Sequence, residues 1–473
     1  MLGWWVVHAF QWDLKYGAGR LPPGSMGFPL LGESLHMVSK PSTTLKPGLF
    51  FLRRQVRYGN LFKTHLFGEP VVVSTSASIN TMVLQKEGLL FQSAFPAKFM
   101  SLIGKRSLME APGRLHTRIR GLVTRIVGPL SLPQCVHEIE DIVVKRLASW
   151  DHSSIIYMNK EACELTFDLA VRRILSLSDQ DDELKDLLHG FRDFSDGLIA
   201  FPINLPGTRY NRCLKGRAKM VEIFEKLISK RARQANNGES PPSERIKDLL
   251  DLLLEEEERD NIAFTRQSTI DVMVHVIFAA AETTSGAFVV LVKLINDHPD
   301  VLQNLMEEHN AIRERKGSAK ETLSWEEFKS MPYTRNVIYE TLRLINVSPF
   351  VYREALVDVE IEGHVIPKGW KILLSFSSVH LDGDNFSDPL SFNPSRWKEM
   401  PASGNGSCFM GYGGGPRTCP GSELSILELS IFVHHFVTKF SWTTMGEEEI
   451  IRSPGVKFKN GHPIYVNKKN CMT

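Results

Sequence analysis

The apolar positions of this chain follow a helical spacing over most of its length beyond residue 110. The longest apolar run, DVMVHVIFAAAETTSGAFVVLVKLI at 271–295, is apolar on nearly every side, which is typical of a membrane span or of a helix buried in a large domain. Glu282, Thr283 and Thr284 stand at its centre, where they would be costly in lipid. The pattern therefore predicts a long helix buried through the middle of a large protein.

Two shorter regions show the patterns of strands. LFKTHLFGEPVVVST predicts two strands joined by a turn at Gly68 to Pro70. The segment 357–376 predicts further strands, with turns at Glu362–Gly363 and Lys368–Gly369. We find no repeat, no low-complexity tract and no internal domain boundary. The expected fold is mainly α with small β-sheets, in a single large domain.

The N-terminal segment, 1–12, is apolar but too short to cross a bilayer alone, because a spanning helix needs roughly 20 apolar residues. It fits a shortened membrane anchor, an interfacial foot built on Trp4 and Trp5, or a buried first helix. A Pro/Gly-rich hinge at 13–33 follows, and its prolines favour an extended path. The main domain is expected at 34–473.

Composition and charge narrow the possible functions. The 473 residues are 42% hydrophobic and 23% charged, as in an ordinary globular protein. A formal net charge of +2 gives no polyanion signal, so no nucleic-acid partner is expected. The six cysteines include no Cys-x-x-Cys pair, which argues against a disulfide scaffold or a structural zinc site and suits reduced thiols on the cytosolic side.

The stretch GYGGGPRTCPGSEL, at 411–424, carries the main candidate chemistry. Its glycines let the backbone approach a flat or bulky partner, and its prolines stiffen the path around Arg417 and Cys419. A thiolate in such a loop can act as a metal ligand, and the guanidinium suits a carboxylate. The alternative is a buried, inert cysteine beside a turn. A phosphate loop is excluded, because no Gly-Lys-Ser/Thr follows the glycines.

This stretch resembles the haem-binding signature of the cytochrome P-450 family, Phe-x-x-Gly-x-Arg-x-Cys-x-Gly. Gly415, Arg417, Cys419 and Gly421 match the signature, and Tyr412 stands where the family usually has Phe. The resemblance implies haem b as the cofactor, Cys419 as the axial thiolate ligand of the haem iron, and Arg417 as the partner of a haem propionate.

Glu340 and Arg343, in ETLR, lie three residues apart and hence on one helical face. Taken alone, they would be an ordinary solvated surface pair. The family builds a buried network from such a pair and a downstream arginine, here Arg396 of FNPSRW. The resemblance therefore gives these three residues a structural role, which is to fix the loop that presents Cys419.

The long apolar run resembles the central helix of the family, whose Ala/Gly-Gly-x-Asp/Glu-Thr motif lines the oxygen site. The resemblance implies that haem lies between this helix and the Cys loop. It makes Glu282 and Thr283 the catalytic residues, which deliver protons for cleavage of the O–O bond. Thr283 has an ordinary alternative, because a mid-helix threonine often bonds back to the carbonyl of residue i−4, here Ala279. Ala280 stands where the family often has Gly.

Three further basic residues are implied haem contacts. His116 and Arg120, in GRLHTRIR, stand where many members have a Trp and an Arg that contact a propionate. Arg353, in SPFVYREA, stands where another propionate-binding Arg is common. Each of these residues, taken alone, is equally typical of an ordinary surface base. The resemblance covers nearly the whole chain and makes 34–473 a haem-thiolate catalytic domain.

The family's substrate pocket has walls that correspond to 95–108, 196–207, the central helix near Phe278 to Ala281, and 346–351. These segments are rich in apolar residues with few charges, as expected of a pocket for a terpenoid skeleton. The alternative is that they are ordinary core.

LPPGSMGFPLLGES, FAAAETTS and NLPGTRYNRCLKGR look most like the plant branch of the family, which oxidises brassinosteroids, gibberellin precursors and triterpenoids. The implied function is a monooxygenase that oxidises a steroid- or triterpenoid-like substrate with O2 and with electrons from NADPH. The implied partners are NADPH–cytochrome reductase, an apolar small molecule and a membrane surface. The expected protein is a monomer at the endoplasmic reticulum membrane, with its catalytic domain facing the cytosol.

Two rival functions stay open. A peroxide-rearranging haem-thiolate enzyme needs neither O2 nor a reductase, and such members often lack the acid and the threonine of the central helix, so Glu282 and Thr283 argue against it. A non-catalytic haem-binding protein would keep the fold without turnover, and Tyr412 and Ala280 keep this alternative open.

Overall fold

The computed structural model of the chain describes residues 15–17, 19–28, 32–38, 49–236, 247–259, 264–316, 322–400, 408–446, 448–452 and 455–469. The apolar segment expected at 1–12 lies outside the described residues. The hinge expected at 13–33 is described only in part. Both stay predictions.

Helices make up most of the described chain. In chain order they are α1 (Ser34–Val38), α2 (Leu49–Tyr58), α3 (Ala77–Gln85), α4 (Ala97–Ile103), α5 (Gly113–Val127), α6 (Val136–Ala148), α7 (Met158–Leu175), α8 (Glu183–Gly197), α9 (Arg209–Asn236), α10 (Leu249–Arg259), α11 (Arg266–Asp297), α12 (Pro299–Lys316), α13 (Trp325–Lys329), α14 (Pro332–Ile345), α15 (Phe376–His380) and α16 (Ser422–Lys439). Capping boxes open two of them, through Thr265 and Ser268 at α11 and through Ser324 and Glu327 at α13.

The strands are short. In chain order they are β1 (Leu61–Leu66), β2 (Glu69–Ser74), β3 (Phe91–Ser93), β4 (Ser154–Tyr157), β5 (Phe350–Ala355), β6 (Val359–Ile361), β7 (His364–Ile366), β8 (Lys371–Ser375), β9 (Phe440–Thr444), β10 (Ile450–Arg452), β11 (Val456–Phe458) and β12 (Pro463–Lys468). The expectation of a mainly helical chain with small sheets is therefore confirmed.

The described residues form two compact units. The first lies within Met1–Pro96, Tyr339–Cys419 and Glu449–Arg452, and the second within Ala97–Ile338, Pro420–Glu448 and Ser453–Thr473. Both units combine separated stretches of chain, so the division follows no single boundary in the sequence. The expected catalytic domain at 34–473 stays a prediction.

A five-stranded sheet in the order β1-β2-β8-β5-β3 organises the first unit. Strand β2 runs parallel to β8, and the other neighbours are antiparallel. All residues of β8 are buried, as expected of a central strand with both faces covered. Strand β5 lies between β8 and β3 and carries Arg353, so the sheet fixes the position of this candidate site residue.

The first hairpin of this sheet lies where the sequence predicts it, but its turn comes earlier. Phe67 and Gly68 link β1 to β2 with positive φ values of 55° and 90°. Positive φ at both central residues suits the right-handed twist of a two-residue hairpin. Pro70, expected in the turn, pairs with His65 inside the ladder. The turn predicted at Gly68 to Pro70 is therefore corrected to Phe67–Gly68.

Helix α11 forms the core of the second unit and packs along α7. Helices α8 and α9 pack on each other so closely that a Cβ on Gly216 would lie 2.5 Å from the Gly190 carbonyl oxygen. Among the described helices, α11 is long and apolar enough to cross a membrane, yet most of its residues are buried in this unit. The prediction of a buried central helix is therefore confirmed.

The segment 199–207, between α8 and α9, is exposed in the structure except at Ala200, which is partly buried. One of the two interpretations of 196–207 was ordinary core. The apolar side chains of 199–207 do not pack in that way. Ile199, Phe201, Ile203 and Leu205 are 49%, 71%, 46% and 60% exposed. Exposed apolar side chains at neighbouring positions are typical of a binding surface.

Candidate active site

The Cys loop, defined here as residues 408–419, belongs to the first unit and is closed by its own backbone. The Cys419 amide donates to the Tyr412 carbonyl at 2.9 Å, and the Gly413 amide donates to the Met410 carbonyl at 3.0 Å. Gly413 has a φ of 75°, which glycine adopts without strain. Cys419 ends this loop and is exposed. The interpretation of a buried, inert cysteine is therefore wrong.

The Cys loop is pressed against the end of α3. Gly415 has a φ of 66°, and a Cβ there would lie 2.3 Å from the Leu84 carbonyl oxygen. Only glycine fits this contact, because both the backbone conformation and the space exclude a side chain. Gly415, which matches the haem-binding signature, is thus required at this position by the packing of the loop against α3.

A carboxylate joins the two candidate propionate-binding arginines of the first unit. Arg417 Nε donates to Glu87 Oε1 at 2.6 Å, and Arg353 Nε lies 2.7 Å from Glu87 Oε2. All three side chains are largely buried. The sequence predicted Arg417 and Arg353 but missed Glu87, which carries no local motif.

The network predicted from Glu340, Arg343 and Arg396 is formed, and it is buried. Arg343 places two nitrogens on the two carboxylate oxygens of Glu340, each at 2.9 Å, and Arg396 Nε donates to Glu340 Oε1 at 2.9 Å. Glu340 and Arg343 are fully buried, so the interpretation as a solvated surface pair is wrong. Trp397 Nε1 also donates to Glu340 Oε2 at 3.0 Å and was missed.

His380 connects this network to the Cys loop. Arg343 Nη1 donates to the His380 carbonyl at 2.8 Å, and His380 Nε2 accepts the Met410 amide at 2.7 Å. Burial and the Arg343 charge lower the pKa of His380 to about 3, so its ring is neutral and can accept a hydrogen bond. The network is thus connected to the Cys loop through a histidine that the sequence did not indicate, and its role in fixing the loop stays a prediction.

The first unit offers groups that fit haem. Cys419 presents an exposed sulfur, which is a soft donor suited to iron. Arg353 and Arg417 present guanidinium groups suited to carboxylates. Arg353 and Arg417 are largely buried beside a single carboxylate, Glu87. Two buried guanidinium groups beside one carboxylate suit a ligand that carries further carboxylates, as haem does.

In the second unit, α11 is exposed at Thr283, near its middle. Ala279 and Ala280, one turn earlier, are also less buried than the preceding residues of the helix. Thr283 Oγ1 donates to the Ala279 carbonyl at 2.6 Å, which is the ordinary alternative that the sequence left open. The hydroxyl is nevertheless on the open side of the helix.

The side chain of Glu282 contacts residues other than those that Thr283 contacts. Its Oε2 accepts the Ser195 hydroxyl at 2.5 Å, and its Oε1 lies 3.2 Å from Lys457 Nζ. Lys457 also donates to Asp196 at 3.1 Å, and the Asp196 side chain is 60% exposed. Burial opposes charge on Lys457, but the carboxylates of Glu282 and Asp196 outweigh it and raise its pKa. The result is a chain of charged groups from the surface to Glu282.

Glu282 and Thr283 are neighbours in sequence, yet their side chains make separate contacts. Within the part of the chain that the structure describes, no hydrogen bond joins them. The sequence missed Ser195 and Lys457, because neither belongs to a motif. A hydrogen bond between the Glu282 carboxylate and the Thr283 hydroxyl therefore requires rotation of one of these two side chains.

His116 and Arg120 both lie on α5, in the second unit, one helical turn apart. His116 is buried, and Arg120 is partly exposed. Their spacing of four residues places them on one face of the helix, as a joint contact requires. Their role at a propionate stays a prediction.

The chain is similar to known proteins over nearly its whole length. A family model described as Cytochrome P450 matches residues 22–461. The 3-epi-6-deoxocathasterone 23-monooxygenase of Arabidopsis thaliana is 38% identical over 458 residues, which cover 95% of this chain and 84% of that protein. The steroid (22S)-hydroxylase of Oryza sativa subsp. japonica is 35% identical over 456 residues, which cover 95% and 88%. The solved structure of retinoic acid bound cyanobacterial CYP120A1 matches with a TM-score of 0.83 and 27% identity, covering 95% of this chain and 99% of that one.

Proposed function

Because the chain belongs to the cytochrome P450 family, we propose that it is a haem-thiolate monooxygenase that oxidises a steroid- or triterpenoid-like substrate. The family, the fold and the monooxygenase class expected from the sequence are confirmed by the similarities to known proteins. The observation that carries the proposal is the exposed Cys419 at the end of a closed loop, with Arg417 two residues before it. Haem is the cofactor that the family implies.

Five residues would hold the cofactor in this proposal. Cys419 supplies the thiolate ligand of the iron, and Arg417, Arg353, His116 and Arg120 bind the propionates. When bound, haem with a thiolate ligand supplies oxygen activation, which no amino-acid side chain provides. The first unit supports this assignment through the guanidinium groups of Arg417 and Arg353 and their burial. The buried Glu340 network is linked to the loop through His380, which supports a role in holding the loop in place.

Glu282 and Thr283 handle protons in this proposal. Thr283 presents its hydroxyl on the open side of α11 and can hold a proton there. Glu282 is buried but linked to the surface through Lys457 and Asp196. A buried carboxylate that is connected to solvent suits general acid–base work, and rotation of one side chain would bring it to the hydroxyl of the neighbouring Thr283. This arrangement favours the monooxygenase over a peroxide-rearranging enzyme.

The proposed reaction balances with O2 and NADPH. One oxygen atom enters a substrate C–H bond to give an alcohol, and the other leaves as water. NADPH supplies two electrons through NADPH–cytochrome reductase, and one further proton comes from solvent. The protein's part is to bind and orient the substrate, to exclude water and to deliver the protons.

The substrate class is proposed from the relatives. Two of them are named for oxidation of steroid-like molecules, and the similar solved structure is named for bound retinoic acid. All of these molecules are largely apolar. We therefore propose an apolar polycyclic substrate of steroid or triterpenoid type for this chain.

The proposed location is the membrane surface of the endoplasmic reticulum, with the catalytic domain in the cytosol and the protein as a monomer. The exposed apolar side chains at 199–205 support a membrane-surface contact of the second unit. The stretch 198–207 contains no charged residue, so its contact with lipid would carry no cost for removing a charge from water.

The first test is the absorption spectrum of the purified, reduced protein with carbon monoxide. A Soret band at the red-shifted thiolate position is expected for the wild type, and it should be lost in Cys419→Ser. Cys408→Ser, a change within the same loop, is the matched control and should keep the band. A wild-type band typical of histidine-ligated or protonated-thiol haem would contradict the proposal.

Turnover then separates the rival functions. With reductase, NADPH and a panel of steroids and triterpenoids, we expect NADPH consumption and a product heavier by one oxygen atom. Turnover of peroxides without reductase would indicate the peroxide-rearranging enzyme. A thiolate band without turnover of any substrate on the panel would favour the non-catalytic haem protein.

A further inference from the structure

Glu87 is a buried carboxylate that the proposed mechanism does not use. It lies between α3 and β3, and its side chain is 9% exposed. Its two oxygens are divided between two arginines, with Oε1 at 2.6 Å from Arg417 Nε and Oε2 at 2.7 Å from Arg353 Nε. A carboxylate that bridges two buried guanidinium groups indicates a specific role for Glu87.

Local structure places this carboxylate. The Ser93 amide donates to Glu87 Oε1 at 3.1 Å. Ser93 is paired with Arg353 across β3 and β5, so the strand register holds the carboxylate beside that arginine. On the other side, the contact of Gly415 with Leu84 holds the Cys loop against the end of α3. The strand pair β3–β5 and the Cys loop thus each place an arginine beside Glu87.

The charges of the three side chains in this cluster do not cancel. Arg353 and Arg417 carry two positive charges, and Glu87 supplies one negative charge between them. Burial lowers the pKa of Arg353, Glu87 opposes this effect, and Arg417 adds to it by repulsion. Without Glu87 the two guanidinium groups would repel each other in a poorly hydrated place. With it, they stay together and keep a net positive charge, which suits a carboxylate ligand.

Glu87 contacts each arginine through Nε. The Nη1 nitrogen of Arg353 donates to the Tyr352 carbonyl at 2.8 Å. The carboxylate therefore fixes how both guanidinium groups are oriented.

We propose that Glu87 is a positioning residue for haem, which holds Arg353 and Arg417 side by side to bind the propionates and whose negative charge lowers the reduction potential of the iron. The inference rests on the proposed function, because it requires these arginines to bind propionates. A negative charge near the iron favours the oxidised, more positive state, so its removal raises the potential.

The test uses Glu87→Gln in the full-length haem-loaded protein. Haem transfer to apomyoglobin should become about tenfold faster, which corresponds to about 1.4 kcal/mol of lost binding. The midpoint potential, measured by spectroelectrochemistry, should shift to a more positive value. Both readouts are independent of substrate turnover.

Glu33→Gln is the matched control. Glu33 forms an ion pair with Arg54 in the same unit, its side chain is 12% exposed, and it accepts the Thr64 hydroxyl. This variant loses a partly buried carboxylate of the same kind, away from Arg353 and Arg417. It should lower thermal stability without changing the midpoint potential.

The outcomes are distinguishable. An unchanged potential in Glu87→Gln, or an equal shift in Glu33→Gln, would overturn the inference. If Glu87→Gln does not fold, Glu87→Asp keeps the charge on a shorter side chain. It should transfer haem faster with little change in potential, and unchanged haem transfer would overturn the inference. A wild-type protein without the thiolate band would instead contradict the proposed function itself.

Discussion

Thr283 and Ala279 are joined by a 2.6 Å hydrogen bond, in which the threonine hydroxyl donates to the carbonyl one turn earlier on α11. The hydroxyl is therefore held in place, while its side chain remains exposed near the middle of a mostly buried helix. This bond is compatible with a structural threonine and with one that handles protons. Removal of the hydroxyl should lower product formation if Thr283 handles protons, but not if Thr283 is only structural.

Thr283→Ala should leave the free energy of unfolding nearly unchanged, because the side chain is exposed. Product formation should fall about 10- to 100-fold, since a proton donor is lost, and more of the consumed NADPH should appear as hydrogen peroxide. Thr283→Ser should retain most of the activity. The measurement compares NADPH oxidised, product formed and peroxide released.

Thr438 offers the control for this prediction. It is another helical threonine that bonds back one turn, with Oγ1 donating to the His434 carbonyl at 2.7 Å. Thr438→Ala should keep the ratio of product to NADPH. Equal behaviour of the two alanine variants would mean that Thr283 is only structural.

Lys457 and Glu282 form a second testable pair. Lys457→Met leaves the Glu282 carboxylate buried without its cation, so it should destabilise the protein by about 1–3 kcal/mol. The double variant Lys457→Met, Glu282→Gln removes the stranded charge and should recover part of that loss. Urea unfolding of the four proteins in the cycle measures the coupling. Additive effects of the two changes would contradict the pairing.

Local patterns were sufficient to predict several parts of the site. Cys419 and Arg417 stand in one loop, Glu340 and Arg343 are three residues apart, and α11 is one continuous apolar run. In each case the chemistry and its spacing are contained in a short segment. The fold class is predicted by the same kind of signal.

The partners of these residues could not be predicted, because they come from distant parts of the chain. Glu87 lies 330 residues before Arg417, and Ser195 lies 87 residues before Glu282. Such contacts depend on how helices and strands pack, which no local spacing encodes. His380 was missed for the same reason, since its role is set by burial and by the Met410 amide 30 residues later.

Glu340→Gln should be severely destabilising. Two arginines meet the Glu340 carboxylate, and removal of one partner of a buried ion pair costs about 3–5 kcal/mol. Because the network is linked to the Cys loop, the haem content per protein should fall as well. Thermal unfolding and the ratio of haem to protein absorbance measure the two effects.

The control for Glu340→Gln removes a carboxylate from an exposed pair. Glu326 and Lys329 are 79% and 52% exposed, and such pairs contribute little to stability. Glu326→Gln should therefore change neither the melting temperature nor the haem content. A Glu340→Gln protein with normal haem content would show that the network does not support the loop.

Buried histidines should make the protein sensitive to acid. Burial is the main cause that lowers the pKa of five of them, to about 4 for His275, 3 for His309, 3 for His380, 2 for His434 and 4 for His462. Below about pH 6.5 the unfolded chain takes up protons on these residues while the folded chain does not. Stability is therefore fully present above pH 6.5 and falls as the pH drops towards 4.

Each such histidine contributes about 1.4 kcal/mol per pH unit in that range. His380→Asn keeps a polar, uncharged side chain and should reduce the slope of stability against pH by one proton. Urea unfolding at several pH values between about 4.5 and 7.5 measures the slope of stability against pH. Equal slopes for the wild type and His380→Asn would contradict the assignment.

The exposed apolar side chains at 199–205 lead to a prediction about membranes. Phe201 and Ile203 are 71% and 46% exposed, and burial of two such side chains in a bilayer surface stabilises binding by about 1.5–3 kcal/mol each. The double variant Phe201→Ser, Ile203→Ser should therefore bind phosphatidylcholine vesicles at least about tenfold more weakly in a flotation assay.

Leu130→Ser is the control, because Leu130 is 96% exposed but lies elsewhere in the second unit, between α5 and α6. If the double variant bound vesicles as well as the wild type, the contact at 199–205 would be excluded, and the apolar segment 1–12 would be the next candidate to test. If Leu130→Ser weakened binding equally, the effect would reflect total exposed apolar area rather than one defined surface.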